Sequence, residues 1–270
     1  MGDGRYIAIT GGKGGTGKTT VALHIAKKYL SKNKRVLLID ADIECPNIHQ
    51  FIELGEKEGE LYIEYPHINE ELCIMCHACI ERCPNNALFS TGGVPKLIES
   101  MCDGCTVCKH ICPTKAIEMK KHSVGNIFVN KGNPGLITGI LNKNVEETGE
   151  FIDQLIEISK NMNYDIKIID TAAGTHCNVI RAIEPADSIV IVTEPTPLGY
   201  HDFNIMIELI EKMGKLEISS VVINKAGISK DIEGKIEEKA RSKGIERIEY
   251  LPYSENIAKS YAKGELYGQI

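Results

Sequence analysis

No apolar run in this chain of 270 residues approaches the length of a membrane span. The opening segment, MGDGRYIAIT, lacks the basic-then-apolar pattern of a secretory signal. Tyr6 also stands where N-myristoylation requires Ser or Thr. Basic residues are in deficit: 31 Lys and Arg face 37 Asp and Glu, a net charge of −6, which argues against a general nucleic-acid binder and leaves room only for a local basic patch. No low-complexity linker interrupts the chain. Together these absences lead to the expectation of a cytoplasmic protein with neither a membrane nor a nucleic-acid partner. They also bear on the ten cysteines. Disulfides rarely persist in the cytosol, so these are expected to be reduced thiols or metal ligands.

The length allows a full α/β core plus a second small domain, and 43% hydrophobic with 25% charged residues is ordinary for a folded protein. YIAIT (6–10), RVLLID (35–40), IKIIDTA (166–172), SIVIVTE (188–194) and SSVVIN (219–224) read as strands buried on both faces. Helical patterns near 18–31, 149–162, 202–214 and 230–243 alternate with them, predicting a doubly wound, mostly parallel α/β sheet. Residues 62–122 break this rhythm. The expected organisation is a discontinuous body, 1–61 with 123–270, and a small insert over 62–122.

Within the insert, CIMCHACIERCP (73–84) and CDGCTVCKHICP (102–113) share the form C-x2-C-x2-C-x3-C-P, displaced by 29 residues, and their flanks repeat as well. Structural zinc typically uses paired knuckles rather than this tripled run. The run resembles that of bacterial two-cluster ferredoxins, in which the fourth cysteine ligates the other cluster. The resemblance implies one 4Fe–4S cluster on Cys73, Cys76, Cys79 and Cys112, and a second on Cys102, Cys105, Cys108 and Cys83.

GGKGGTGKTT (11–20) follows a strand and opens a helix, and GKGGTGKT from Gly12 to Thr19 fits the Walker pattern. Gly14, Gly15, Thr16 and Gly17 would turn backbone N–H groups onto a phosphate at the helix N-terminus. Lys18 would reach the β- and γ-phosphates, with Thr19 on Mg²⁺ and Thr20 beside it. Lys13 is surplus to a standard loop. With that second lysine the loop resembles the deviant-Walker ATPases of the MinD/ParA class, which includes the nitrogenase iron protein and Mrp-type iron–sulfur carriers. The resemblance implies that Lys13 reaches the nucleotide of a partner subunit in an ATP-bound homodimer. It implies a Mg²⁺ shell containing Asp40 and Asp170 and a water-orienting Asp42, with the roles of Asp40 and Asp42 open to exchange, and a γ-phosphate-sensing Gly174. Asn224 would recognise adenine, and Pro252 would begin the loop over the base. The tail SYAKGELYGQI is too short and weakly amphipathic for a membrane-targeting helix, which argues against cell-division positioning.

The combined resemblance implies an ATP-dependent dimeric switch coupled to iron–sulfur chemistry. It would either deliver electrons to a metalloprotein or mature a metal–sulfur cofactor in a client. A redox- or oxygen-sensing signalling or partitioning ATPase is the alternative. Cys177 stands seven residues after Asp170, matching a cysteine of the nitrogenase iron protein that ligates a cluster between subunits. The second such cysteine has no counterpart, since 123–169 contain no Cys. Cys177, with His176 beside it, therefore reads either as a labile metal site or as a buried packing thiol.

Overall fold

The structure is a computed structural model that describes residues 4–142, 149–255, 259, 263 and 264. The tail read above as too weak for membrane targeting lies almost wholly outside the described residues. Among those described, no helix is long and apolar enough to cross a membrane.

In chain order the elements are β1 (Arg5–Thr10), α1 (Lys18–Leu30), β2 (Val36–Ala41), β3 (Glu56–Ile68), α2 (Ala78–Glu81), β4 (Leu88–Phe89), β5 (Lys96–Leu97), α3 (Val107–Ile111) and β6 (Ile117–Asn130). There follow β7 (Gly135–Leu141), α4 (Gly149–Lys160), β8 (Ile166–Thr171), α5 (Cys177–Ile183), β9 (Ser188–Thr193), α6 (Pro197–Lys212), β10 (Ser219–Ala226), α7 (Lys230–Ser242) and β11 (Ile248–Pro252). Nine strands form one sheet in the order β11-β10-β9-β1-β8-β2-β7-β6-β3. The strands from β11 to β7 are mutually parallel, and β6 and β3 add an antiparallel edge. This is the expected α/β class, extended by a hairpin that the periodicity did not announce.

Strand alternation explains why the central strands read as unbroken apolar runs. In β2, Val36 and Leu38 join the core under α1 with Val21, Leu23 and Ala26. Leu37 and Ile39 point the other way, into the core under α4 with Phe151, Ile152 and Leu155. A third core joins α5, α6 and α7 to β9 and β10 through Val179, Phe203, Met206, Ile207 and Ile236. Helices on both faces leave the carboxyl ends of the parallel strands as the open edge, where α/β sheets place their ligands.

The hairpin carries the cysteine-rich lobe. β3 and β6 pair from Glu56↔Val129 to Ile68↔Ile117 with two irregularities, one between Leu61 and Tyr62. There the backbone groups of Tyr62 are taken up by α4: its N–H donates to Gln154 Oε1 (3.0 Å) and its carbonyl accepts from Gln154 Nε2 (2.9 Å). Residues 62 and 122, the expected edges of the insert, both fall inside these strands.

The 29-residue repeat is also present in the backbone. Left-handed φ angles recur at Met75 and Gly104 (54° and 76°), His77 and Thr106 (59° and 62°), and Asn86 and Lys115 (52° and 54°). The rungs Ile68↔Ile117 and Leu88↔Leu97 are images of each other under the same displacement. The lobe's core is correspondingly paired: Cys79 with Cys108, and Leu88 with Ile117, all buried, with Ile68 and Leu97 against them.

Candidate nucleotide site and cysteine cavities

The loop from Gly11 to Gly17 leaves the end of β1 and enters α1, and its course depends on glycine at two points. Gly17 adopts φ 92°, and a Cβ there would fall 2.2 Å from Asn224 Nδ2. At Gly12 an added Cβ would fall 2.6 Å from the carbonyl oxygen of Asp202. Both positions need the missing side chain, the first for conformation and the second for close approach. Above the loop lies a cavity of about 380 Å³, lined by Gly14, Gly15, Gly17, Lys18, Thr19 and Thr20. Asp42, Asn47, Ala173, Asn224 and Pro252 close its other sides. Gly12, Lys13, Thr16, Asp40 and Asp170 are not among the residues that line it.

The polar groups below the cavity are tied together. Thr19 Oγ1 donates to Asp170 Oδ2 at 2.6 Å. Asp40 and Asp170 are register partners on β2 and β8. Both Asp40 oxygens accept from backbone: Oδ1 from Asp42 N–H (3.4 Å), and Oδ2 from Asn47 N–H (2.9 Å) and Ile48 N–H (3.0 Å). Asp40 thus fastens the segment after β2 to the sheet. Asp42 accepts from the Cys45 N–H at 3.3 Å. Gly174, at φ 94°, donates its N–H to the Gly11 carbonyl at 3.4 Å, which links the segment after β8 to the phosphate-binding loop.

Charge in this corner is unbalanced. Burial pushes Asp170 up to about 7, assisted by Asp40 and opposed by the Thr19 hydrogen bond and by Lys18. Burial also pushes Asp40 up to about 6 against its three backbone hydrogen bonds, and raises Asp42. Lys18 is lowered by burial, although Asp170 and Asp42 pull it back up. Asp170 and Asp42 therefore share one buried ammonium, and Asp40 adds a third carboxylate beside Asp170. Asp170 Oδ1 is fully buried and accepts no hydrogen bond. A hard divalent cation takes such a carboxylate together with a Ser or Thr hydroxyl and phosphate oxygens, so the residues present fit Mg²⁺.

Two of the expected side chains are engaged within the chain. Asn224 Nδ2 donates to the Thr16 carbonyl at 2.7 Å, and its Oδ1 accepts from the Lys225 N–H. Lys13 Nζ is ion-paired with Glu194 Oε1 at 2.5 Å, and Lys225 Nζ binds Glu194 Oε2 at 2.7 Å and the Gly15 carbonyl at 3.1 Å. Burial alone would raise the Glu194 carboxyl, but the two lysines outweigh it and hold it below the ordinary range. Glu194 and Lys225 were not singled out from the sequence. The signal available was their position just beyond or at the carboxyl ends of β9 and β10, where ligand-facing residues collect.

A profile of the CobQ/CobB/MinD/ParA nucleotide-binding domain matches residues 7–267. The chain belongs to the MinD/ParA nucleotide-binding family. It is 34% identical over 273 residues to an uncharacterized protein of Methanocaldococcus jannaschii, covering 99% of this chain and 93% of that one. The fold is similar to that of the cell division ATPase MinD of Pyrococcus furiosus, with a TM-score of 0.59 at 17% identity, covering 98% of this chain and 90% of that chain. It is also similar to the Pyrococcus horikoshii septum site-determining protein MinD complexed with Mg-ADP, with a TM-score of 0.56 at 17% identity, covering 96% and 86%. This MinD/ParA membership speaks for the nucleotide-binding body; it does not speak for the lobe.

In the lobe, two separate cavities are lined by cysteines. One has Cys73, Cys76, Cys79 and Cys112 on its wall; the other has Cys83, Cys102, Cys105 and Cys108. Each cavity groups the same four cysteines that the resemblance to two-cluster ferredoxins assigns to one cluster. Cys83 Sγ accepts the Ala87 N–H at 3.3 Å, and Cys112 Sγ accepts the Ala116 N–H at 3.2 Å. Burial raises Cys79 and pushes Cys108 up to about 11. All ten cysteines are free thiols. Among the described residues no three His, Cys, Asp or Glu side chains converge on a single metal ion.

Proposed function

We propose that this MinD/ParA family member is a Mg²⁺-dependent ATPase that works as a dimeric switch, and that its lobe holds two 4Fe–4S clusters. The switch then serves iron–sulfur chemistry, as electron delivery to a metalloprotein or as maturation of a metal–sulfur cofactor in a client. The observation that carries this reading is the partition of the repeat cysteines. Each set of four, crossed between repeats, lines one cavity on the same chain as the nucleotide cavity.

In this reading the backbone of Gly14, Gly15 and Gly17 cradles the phosphates, and Lys18 neutralises their charge. Thr19 and Asp170 hold Mg²⁺, which supplies further charge neutralisation when bound. Asp42, on the cavity wall, orients the attacking water. Asp40 has its oxygens occupied by backbone donors, which favours an anchoring role for the segment after β2 over a place in the metal shell. Lys13 acts on the partner subunit's nucleotide only after leaving Glu194. The cysteine-held clusters would supply one-electron chemistry, tuned by the N–H groups on Cys83 and Cys112.

The test is anaerobic iron and sulfide analysis with EPR after reduction, alongside sedimentation with a slowly hydrolysed ATP analogue. The expected result is about eight irons per chain and an ATP-dependent dimer. Stoichiometric zinc without a cubane signal would remove the clusters, and a chain that stays monomeric with Mg-ATP would remove the switch.

A further inference from the structure

Of the side chains that the nucleotide and cysteine sites leave unused, Cys177 is exposed, so burial in a core does not account for it. No metal-binding group forms around it among the described residues. Lys225, on the wall of the nucleotide cavity, stands out by its backbone. The pairing of β10 with β11 shifts register between Asn224 and Ala226, so Lys225 is the extra residue of a bulge. It adopts φ 56°, in the left-handed region that a long side chain seldom occupies. Bulges beside ligand sites re-aim a side chain, and such an outlier persists only where its surroundings fix it.

Here the surroundings fix both ends. The Lys225 N–H donates to Asn224 Oδ1 at 2.9 Å. At the far end, Lys225 Nζ donates to the Gly15 carbonyl at 3.1 Å and to Glu194 Oε2 at 2.7 Å. The side chain therefore spans from β10 to the phosphate-binding loop. Leu251, Pro252 and Tyr253 line the same cavity, and the pairs Asn224↔Leu251 and Ala226↔Pro252 join that segment to the bulge. The Tyr253 N–H also donates to the Ala226 carbonyl at 3.4 Å. Asn224 is committed at each end of its amide, through Nδ2 to the Thr16 carbonyl at 2.7 Å and through Oδ1 to Lys225.

We propose that Lys225 binds the base of the nucleotide: its methylene stem, pinned at the phosphate-binding loop, packs against the base together with Leu251, Pro252 and Tyr253. A lysine stem covers apolar surface while its head keeps polar partners, and here those partners are already in place. Glu194 neutralises the ammonium, so the contribution of Lys225 falls on the base and not on the phosphates. The bulge gives the stem this direction, which a regular strand residue would not have. The inference rests on reading the cavity as the nucleotide site, and on neither the dimer nor the clusters of the lobe.

The experiment is calorimetric titration of the full chain in Mg²⁺ with two probes, ADP and inorganic pyrophosphate, which has the two phosphates without the base. Lys225→Ala is expected to weaken ADP binding by at least about tenfold, the scale of two or three methylenes left unburied. Its pyrophosphate affinity should stay within about twofold of wild type. Lys225→Met keeps an unbranched stem without the charge, and should bring ADP affinity back to within about threefold of wild type. Wild-type ADP binding by Lys225→Ala overturns the proposal. An equal loss of ADP and pyrophosphate also overturns it, and makes Lys225 a brace of the phosphate-binding loop instead. A wild type that binds neither probe removes the nucleotide reading itself, whereas a wild type that binds both leaves the variants to decide this residue.

Discussion

Around the nucleotide cavity, polar side chains hold one another through the body of the protein. Thr19 is bonded to Asp170, Asn224 to the phosphate-binding loop, and Glu194 bridges two lysines. Behind them stand three apolar cores. The lobe's own cluster has instead four buried residues, two of them cysteines, and its helices have four and five residues. A site built by packing and hydrogen bonds keeps its geometry whatever occupies it. A site whose walls are short helices and turns takes much of its order from its ligands, as small metal-binding domains do.

The largest effect should come from separating the two. Chelating iron from the anaerobic protein is expected to abolish amide protection across residues 69–116 while β1, β2 and β8 keep theirs, measured by hydrogen exchange. Equal protection with and without iron would show that the lobe folds by packing alone. Next in size, Lys18→Ala removes the main cationic contact with the phosphates, and nucleotide affinity should fall by at least about a hundredfold in calorimetry, a cost in the range of a lost buried charge–charge contact. The lobe's iron content should not change.

Smaller effects with opposite signs are expected at the Lys13–Glu194 pair. Lys13→Ala should weaken analogue-driven dimerisation, whereas Glu194→Gln frees the lysine and should strengthen it several-fold, both read by analytical ultracentrifugation. If both substitutions weaken the dimer, Glu194 supports the lysine rather than restraining it. The smallest expected effect is a pH slope. Asp170 and Asp40 titrate near 7 and 6 in the fold against an ordinary value of 3.8, so folding takes up protons. In metal-free protein this contribution is fully present below pH 3.8 and is lost as pH rises through about 6 to 7. Mg-nucleotide favours the ionised carboxylates, so its thermal stabilisation should grow over the same interval. Asp170→Asn should flatten the metal-free slope in calorimetric melts.

The five parallel strands read from the sequence and the phosphate-binding loop were legible because local pattern determines them: continuous apolar runs for the strands, glycines and a helix start for the loop. β3 is not announced by the sequence, although the buried Leu61, Ile63 and Tyr65 are separated by the less buried Tyr62 and Glu64. The density of cysteines suggests an insert and masks a strand that crosses its expected edge. β6 is polar over Lys120–Ser123, and its pairing with β3 is a long-range fact that no window of sequence contains. The same reason separates the site residues. The grouping of four cysteines at each cavity came from the resemblance to two-cluster ferredoxins, whereas Glu194 between Lys13 and Lys225 exists only once the strands are ordered.

The hairpin of β3 and β6, 13 and 14 residues long, makes a ladder of roughly 40 Å at strand spacing. That continuity limits how the chain can be cut and rejoined. A module exchanged for this lobe must be spliced rung for rung on both strands, and its length can change only in steps of two residues. Deleting a single residue from β3 alone, above Leu61, would send Ile63 and Tyr65 to the opposite face and turn both cysteine cavities with them. The lobe can be exchanged only as a matched pair of strand halves.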